Sequence, residues 1–137
     1  MSPLASKRLL QATIAVLALI PLATGASGVL LGPDSLVEAR AGGRPGGWPR
    51  DFDSHYRYLS GIFLGLGIVF YATIPGIERK TGLFRLAAAL VVAGGLGRLL
   101  SLLSVGAPTA PHLAGLGLEL VGVPLIALWQ ARLAKRF

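Results

Sequence analysis

The sequence contains no cysteine, so disulfide frameworks, thiolate metal sites and thiol nucleophiles are excluded together, and the redox compartment is left unmarked. Charge is also scarce, at 14% of 137 residues. No P-loop, nucleophile elbow, zinc signature or dinucleotide fingerprint occurs, and Gly65-Leu66-Gly67 lacks the strand-turn-helix setting that would make it one. The only two histidines, His55 and His112, have no clustered carboxylate beside them in sequence. They make a poor metal set and read as interfacial residues, so no metal and no cofactor is expected.

What is present is apolar. Hydrophobic residues make up 53% of the chain and the mean hydropathy is +0.68, far beyond a soluble domain of this length. A bilayer core about 30 Å thick takes roughly 20 apolar residues per helical crossing. Four such runs cover residues 9–31, 54–74, 83–103 and 112–129. The chain therefore reads as an all-α integral membrane protein, a single four-transmembrane-helix bundle over residues 1–137. The basic start at Lys7 and Arg8, with small residues from Ala23 to Ser27, also has the form of a signal peptide; the reading keeps the segment as the first span.

Residues 32–53 form a loop rich in Gly, Pro and Arg between Ala41 and Arg50. Ahead of it, Ser35-Leu36-Val37-Glu38 has the pattern of a capping box, which predicts a short interfacial helix. Trp48 suits the headgroup level. The second run enters through a polar collar of His55, Tyr56, Arg57 and Tyr58, and the turns at Pro75-Gly76 and at Gly106 to Pro111 separate the remaining runs.

Sorting the charges by side puts Lys7, Arg8, Arg79, Lys80, Arg85, Arg132, Lys135 and Arg136 with Glu78 alone at the end of the termini. The other side balances Arg40, Arg44, Arg50 and Arg57 with Asp34, Glu38, Asp51 and Asp53. The positive-inside rule then makes both the N and C termini cytoplasmic and faces the 32–53 loop outward. It also accounts for the net charge of +7 without a nucleic-acid partner.

Transmembrane helices associate through close backbone approach, which favours small residues. Gly28 and Gly32, Gly61 and Gly65, and Ala89, Ala93 and Gly97 stand four apart, each set on one helical face. Pro21 and Pro124 are candidate kinks. The remaining exceptions to the apolar pattern are Arg98 and Glu119. At about 1.5 Å per residue, both lie roughly 9 to 11 Å below the outer boundary, so they are placed to pair. Helical spacing puts Ser101 on the face of Arg98, and His112 on that of Glu119. This predicts a polar pocket opening outward, lined by Arg57, Arg98, Ser101 and Glu119, with Asp53, His55, Tyr56 and His112 at its mouth. An ionisable residue inside a span is kept by pairing, by water or by use. Two readings follow: a structural ion pair that fixes helix neighbours, or a site in which Arg98 holds an anionic or carbonyl group.

The stretches Asp53-Ser54-His55-Tyr56-Arg57-Tyr58-Leu59-Ser60-Gly61, Gly94-Gly95-Leu96-Gly97-Arg98-Leu99-Leu100-Ser101 and Leu118-Glu119-Leu120 resemble a bacterial membrane family known as domain of unknown function 4345. The likeness runs from the second span onward. It implies a multi-pass protein of the bacterial inner, cytoplasmic membrane with four helices, implies no activity, and makes Arg57, Arg98 and Glu119 matching motif positions.

Together these features predict a non-catalytic protein that binds a lipid-like or amphipathic small molecule, or serves as an accessory subunit of a membrane complex. The exposed small-residue faces allow a homodimer or a membrane-protein partner. The alternative is a membrane-embedded enzyme or proton-coupled carrier using Glu119 and Arg98.

Overall fold

The computed structural model describes residues 2–36 and 47–137. Residues 37–46, among them Glu38, Arg40 and Arg44, lie outside the described residues, so the Val37-Glu38 half of the predicted capping box and most of the Gly/Pro/Arg loop do too, while Ser35 and Leu36 fall in a 3-10 turn. Among the described residues there is no strand. The helices are α1 (Pro3–Leu31), α2 (Arg50–Thr73), α3 (Thr81–Val105), α4 (Ala110–Gly117) and α5 (Val123–Ala134). A 3-10 turn, Gly32–Leu36, follows α1, and a π-helical turn, Leu118–Gly122, joins α4 to α5.

Local chemistry sets these boundaries. Pro3 opens α1, where its missing N–H costs nothing, and the Ser2 hydroxyl accepts the Ala5 N–H at 3.2 Å. The helix stops at Gly32, whose φ of +63° suits a residue without Cβ, and Pro33 cannot resume it. Helix α2 starts earlier than its apolar run, at Arg50, because Pro49 O accepts the Asp53 N–H at 3.0 Å and Asp51 and Asp53 favour a helix N-terminus.

Three stretches are long and apolar enough to cross a membrane: Pro3–Leu36, Thr81–Val105 and Ala110–Ala134. Helix α2 is not among them, since its first turns carry the polar collar. Many large apolar side chains point outward: Leu30 is 75% exposed, Leu103 76% and Val105 86%.

The chain divides into two compact units, residues 13–72 and residues 2–12 with 73–137. In the first, α1 and α2 run antiparallel. Leu22 approaches Gly67, Gly25 lies against Leu64, and Gly28 against Ser60 and Tyr56. A Cβ on Gly25 would stand 2.6 Å from the Leu64 backbone nitrogen, so that contact depends on glycine.

In the second unit, α3 packs against α4, the π turn and α5. Its buried face on α3 is Phe84, Ala87, Ala88 and Gly95. The small-residue face predicted for α3 is a different one: Ala89, Ala93 and Gly97 are exposed, because the helix turns Gly95 inward and nothing lies near Gly97. Pro124 also acts differently from a simple kink. The Val123 N–H reaches back five residues to Leu118 O, giving a π turn just before the residue that has no N–H.

The two termini meet at one end of this unit. Trp129 Nε1 donates to Ser6 Oγ at 2.9 Å, and Lys7 Nζ lies 5.4 Å from the centre of the Phe137 ring.

Candidate functional site

Arg98 and Ser101 sit one turn apart near the end of α3, and His112 and Leu116 one turn apart on α4. With Pro108 they line a cleft of about 120 Å³. Behind it, the π turn carries Glu119 toward α3. A Cβ on Gly95 would stand 2.9 Å from Glu119 Cβ and 2.8 Å from Leu120 Cδ2, so the absence of a side chain there lets the turn approach. Arg98 Nε donates to Glu119 Oε1 at 3.1 Å. The arginine side chain is 42% exposed and the glutamate 13%.

The pair leaves much of its capacity open. Among the described residues, neither Nη amino group of Arg98 has a partner, nor does the Ser101 hydroxyl. His112 Nδ1 lies 3.0 Å from Thr109 Oγ1, which leaves Nε2 free in either tautomer. Glu119 Oε2 is buried without a hydrogen-bond donor. An arrangement of this kind offers donors to an incoming oxygen.

The other predicted site residues belong to the α1–α2 unit and form their own network. Arg57 Nε and Nη2 donate to Asp53 at 2.9 and 3.3 Å, while Nη1 donates to the carbonyls of Val29 (2.7 Å) and Leu30 (3.0 Å). The guanidinium thereby caps the end of α1, whose last carbonyls have no partner within the helix. Tyr56 OH is 3.2 Å from Ser35 Oγ, which donates to Gly32 O at 2.7 Å. Trp48 Nε1 donates to Asp34 at 3.0 Å. His55 is exposed, its ring 6.3 Å from that of Tyr58. Among the described residues, no three His, Asp or Glu side chains come together as metal ligands do.

Sequence reasoning missed a second polar cluster, at the end where the termini meet. Gln130, fully buried, donates through Nε2 to Ile77 O at 2.8 Å and to Thr81 Oγ1 at 2.9 Å. Gln11 Nε2 donates to Ile74 O at 2.7 Å. Lys7 Nζ stands 3.0 Å from Glu78 Oε2 as an ion pair, and Arg79 Nε 3.4 Å from Oε1. Burial pushes the Glu78 carboxyl up, but a backbone hydrogen bond, Lys7 and Arg79 outweigh it and hold the group below the ordinary carboxylate range. The available signal was an uncharged amide at the edge of an apolar run, at Gln11 and again at Gln130.

A family model described as "Domain of unknown function (DUF4345)" matches residues 9–130, a span that takes in the first apolar run as well as the stretches that carried the resemblance. No curated protein and no solved structure matches the chain.

Proposed function

The chain belongs to the family described as domain of unknown function 4345, and we propose that it is a multi-pass membrane protein holding the polar head of a small lipid-like molecule in the Arg98 cleft, without transforming it. The observation that carries this reading is the pair of unengaged Nη groups of Arg98 beside an opening in an otherwise apolar surface. A guanidinium at that depth is costly unless its donors are used. Glu119 uses one of them and an oxygen-bearing ligand uses the rest.

The membrane setting has its own support. Three apolar helices would bring the chain's ends out on opposite faces, whereas Ser6 bonds to Trp129. A fourth crossing by α2 reconciles the two facts, with the polar collar of α2 at the headgroup level. The end that gathers Lys7, Arg79, Lys80, Arg132, Lys135 and Arg136 against Glu78 alone is then cytoplasmic, in a bacterial inner membrane. Ser101 and His112 both line the cleft, but among the described residues no hydrogen bond joins the hydroxyl to the imidazole, which favours binding over catalysis.

The test is native mass spectrometry of the protein released from its own membrane. A defined small molecule retained by the wild type, and lost from an Arg98→Leu variant that keeps its helical circular dichroism, is the expected result. A wild-type subunit that carries no small molecule overturns the reading, and one bound only to another protein chain makes the pair an assembly feature.

A further inference from the structure

We infer that the Arg98 cleft selects an electrically neutral head with a carbonyl oxygen and a hydroxyl, as in a monoacylglycerol, over a carboxylate or phosphate anion. The inference rests on the binding reading above and adds the chemical class of the ligand.

Charge comes first. An arginine facing an apolar surface alone would favour an anion, but Glu119 already stands 3.1 Å from Arg98 Nε, so the pair is formally neutral before any ligand enters. The Glu119 side chain is largely buried, and its Oε2 has no donor to offset its charge. An anion placed on the Nη side of Arg98 would share one cation with that carboxylate in a poor dielectric, where like charges repel strongly. A carbonyl takes the same N–H groups through a charge-assisted hydrogen bond and brings no second negative charge.

The remaining polar groups fit the same head. Ser101 Oγ can donate or accept, and so can His112 Nε2 according to its tautomer. A hydroxyl beside the carbonyl satisfies either. The cleft, at about 120 Å³, admits several water-sized groups. The apolar tail has a place outside it, since the same stretch of α3 exposes Leu100, Leu103 and Val105.

The deciding experiment compares two ligands with one tail, 1-monooleoylglycerol and oleate, added to the delipidated full chain in neutral nanodiscs at about pH 9, where oleate is ionised. Retention is read by native mass spectrometry. The wild type is expected to retain monooleoylglycerol about tenfold better than oleate. In Glu119→Gln, which leaves Arg98 without its counter-ion, the order is expected to reverse. Equal or better retention of oleate by the wild type overturns the inference and leaves the binding reading standing. Retention of neither overturns both. The wild-type comparison decides even if Glu119→Gln does not fold, and an unreversed order in a folded Glu119→Gln removes the charge argument.

Discussion

Two polar clusters within one helical unit, at its opposite ends, use their hydrogen bonds differently. Where the termini meet, the amide donors of Gln11 and Gln130 and the indole N–H of Trp129 are all directed at protein oxygens, and Lys7 is paired with Glu78. At the far end, Arg98 gives one donor to Glu119 and leaves both Nη groups open beside Ser101 and His112. The cluster where the termini meet is not saturated, since Gln130 Oε1 and Glu78 Oε2 are buried without a hydrogen bond, but its amide and indole donors are all spent within the protein, and deleting one strands a protein acceptor. Donors left unspent on an accessible cleft are capacity that the protein itself does not consume. The contrast separates architecture from candidate function more cleanly than charge does, since an ion pair occurs in both.

The sharpest way to break this comparison is to damage the end where the termini meet. Gln130→Ala removes both donors from Ile77 O and Thr81 Oγ1 and opens a void at a fully buried position. The expected loss is about 2–3 kcal/mol, measured by unfolding in mixed micelles of increasing anionic detergent. A loss below about 0.5 kcal/mol, the range of surface substitutions, would show that this end does not hold the helices. Ligand retention in the folded fraction should not change.

Lys7→Met is expected to cost less, about 1 kcal/mol at neutral pH, because Lys7 is 24% exposed and Arg79 still faces Glu78. It also has a pH signature. The folded Glu78 carboxyl sits below its ordinary value of 4.5, so the fold favours the ionised form. That contribution is fully present above about pH 4.5 and is lost as pH falls through the lower folded value. The wild type should therefore lose stability with acid in that window, and Lys7→Met should lose less. Parallel acid curves for the two proteins would remove Lys7 from the account.

The legible part of this molecule follows from composition and punctuation. Long apolar runs gave the helix-forming stretches, and Pro-Gly pairs gave the turns, because a missing N–H and a positive φ act locally. The Arg98–Glu119 contact was readable too, since depth along two helices is simple arithmetic once the spans are set. Helix rotation was not. Whether Gly95 or Gly97 faces the neighbouring helix differs by two residues of register, and between Arg85 and Arg98 the helix carries no polar residue to declare it. The capping role of Arg57 was hidden for a related reason. Its partners Val29 O and Leu30 O are backbone groups, which look the same in every sequence. The π turn arises from the conjunction of Pro124 with close packing against Gly95, and only the first half of that conjunction is visible as a letter.

The smallest expected effect on stability belongs to Ser101→Ala, and it sharpens the comparison most. Ser101 is exposed and its hydroxyl bonds to no described protein group. Its removal should change stability by no more than about 0.5 kcal/mol. The same hydroxyl lines the cleft, so losing one hydrogen bond of about 1 kcal/mol to a bound head should weaken ligand retention roughly fivefold. Titration of wild type and Ser101→Ala with 1-monooleoylglycerol, read by native mass spectrometry beside unfolding curves for both, measures the two quantities on one pair of proteins. Weakened retention with unchanged stability is the mark of a group kept for a ligand. Unchanged retention would mean that the head does not reach this side of the cleft, and would leave Arg98 and His112 to hold it alone.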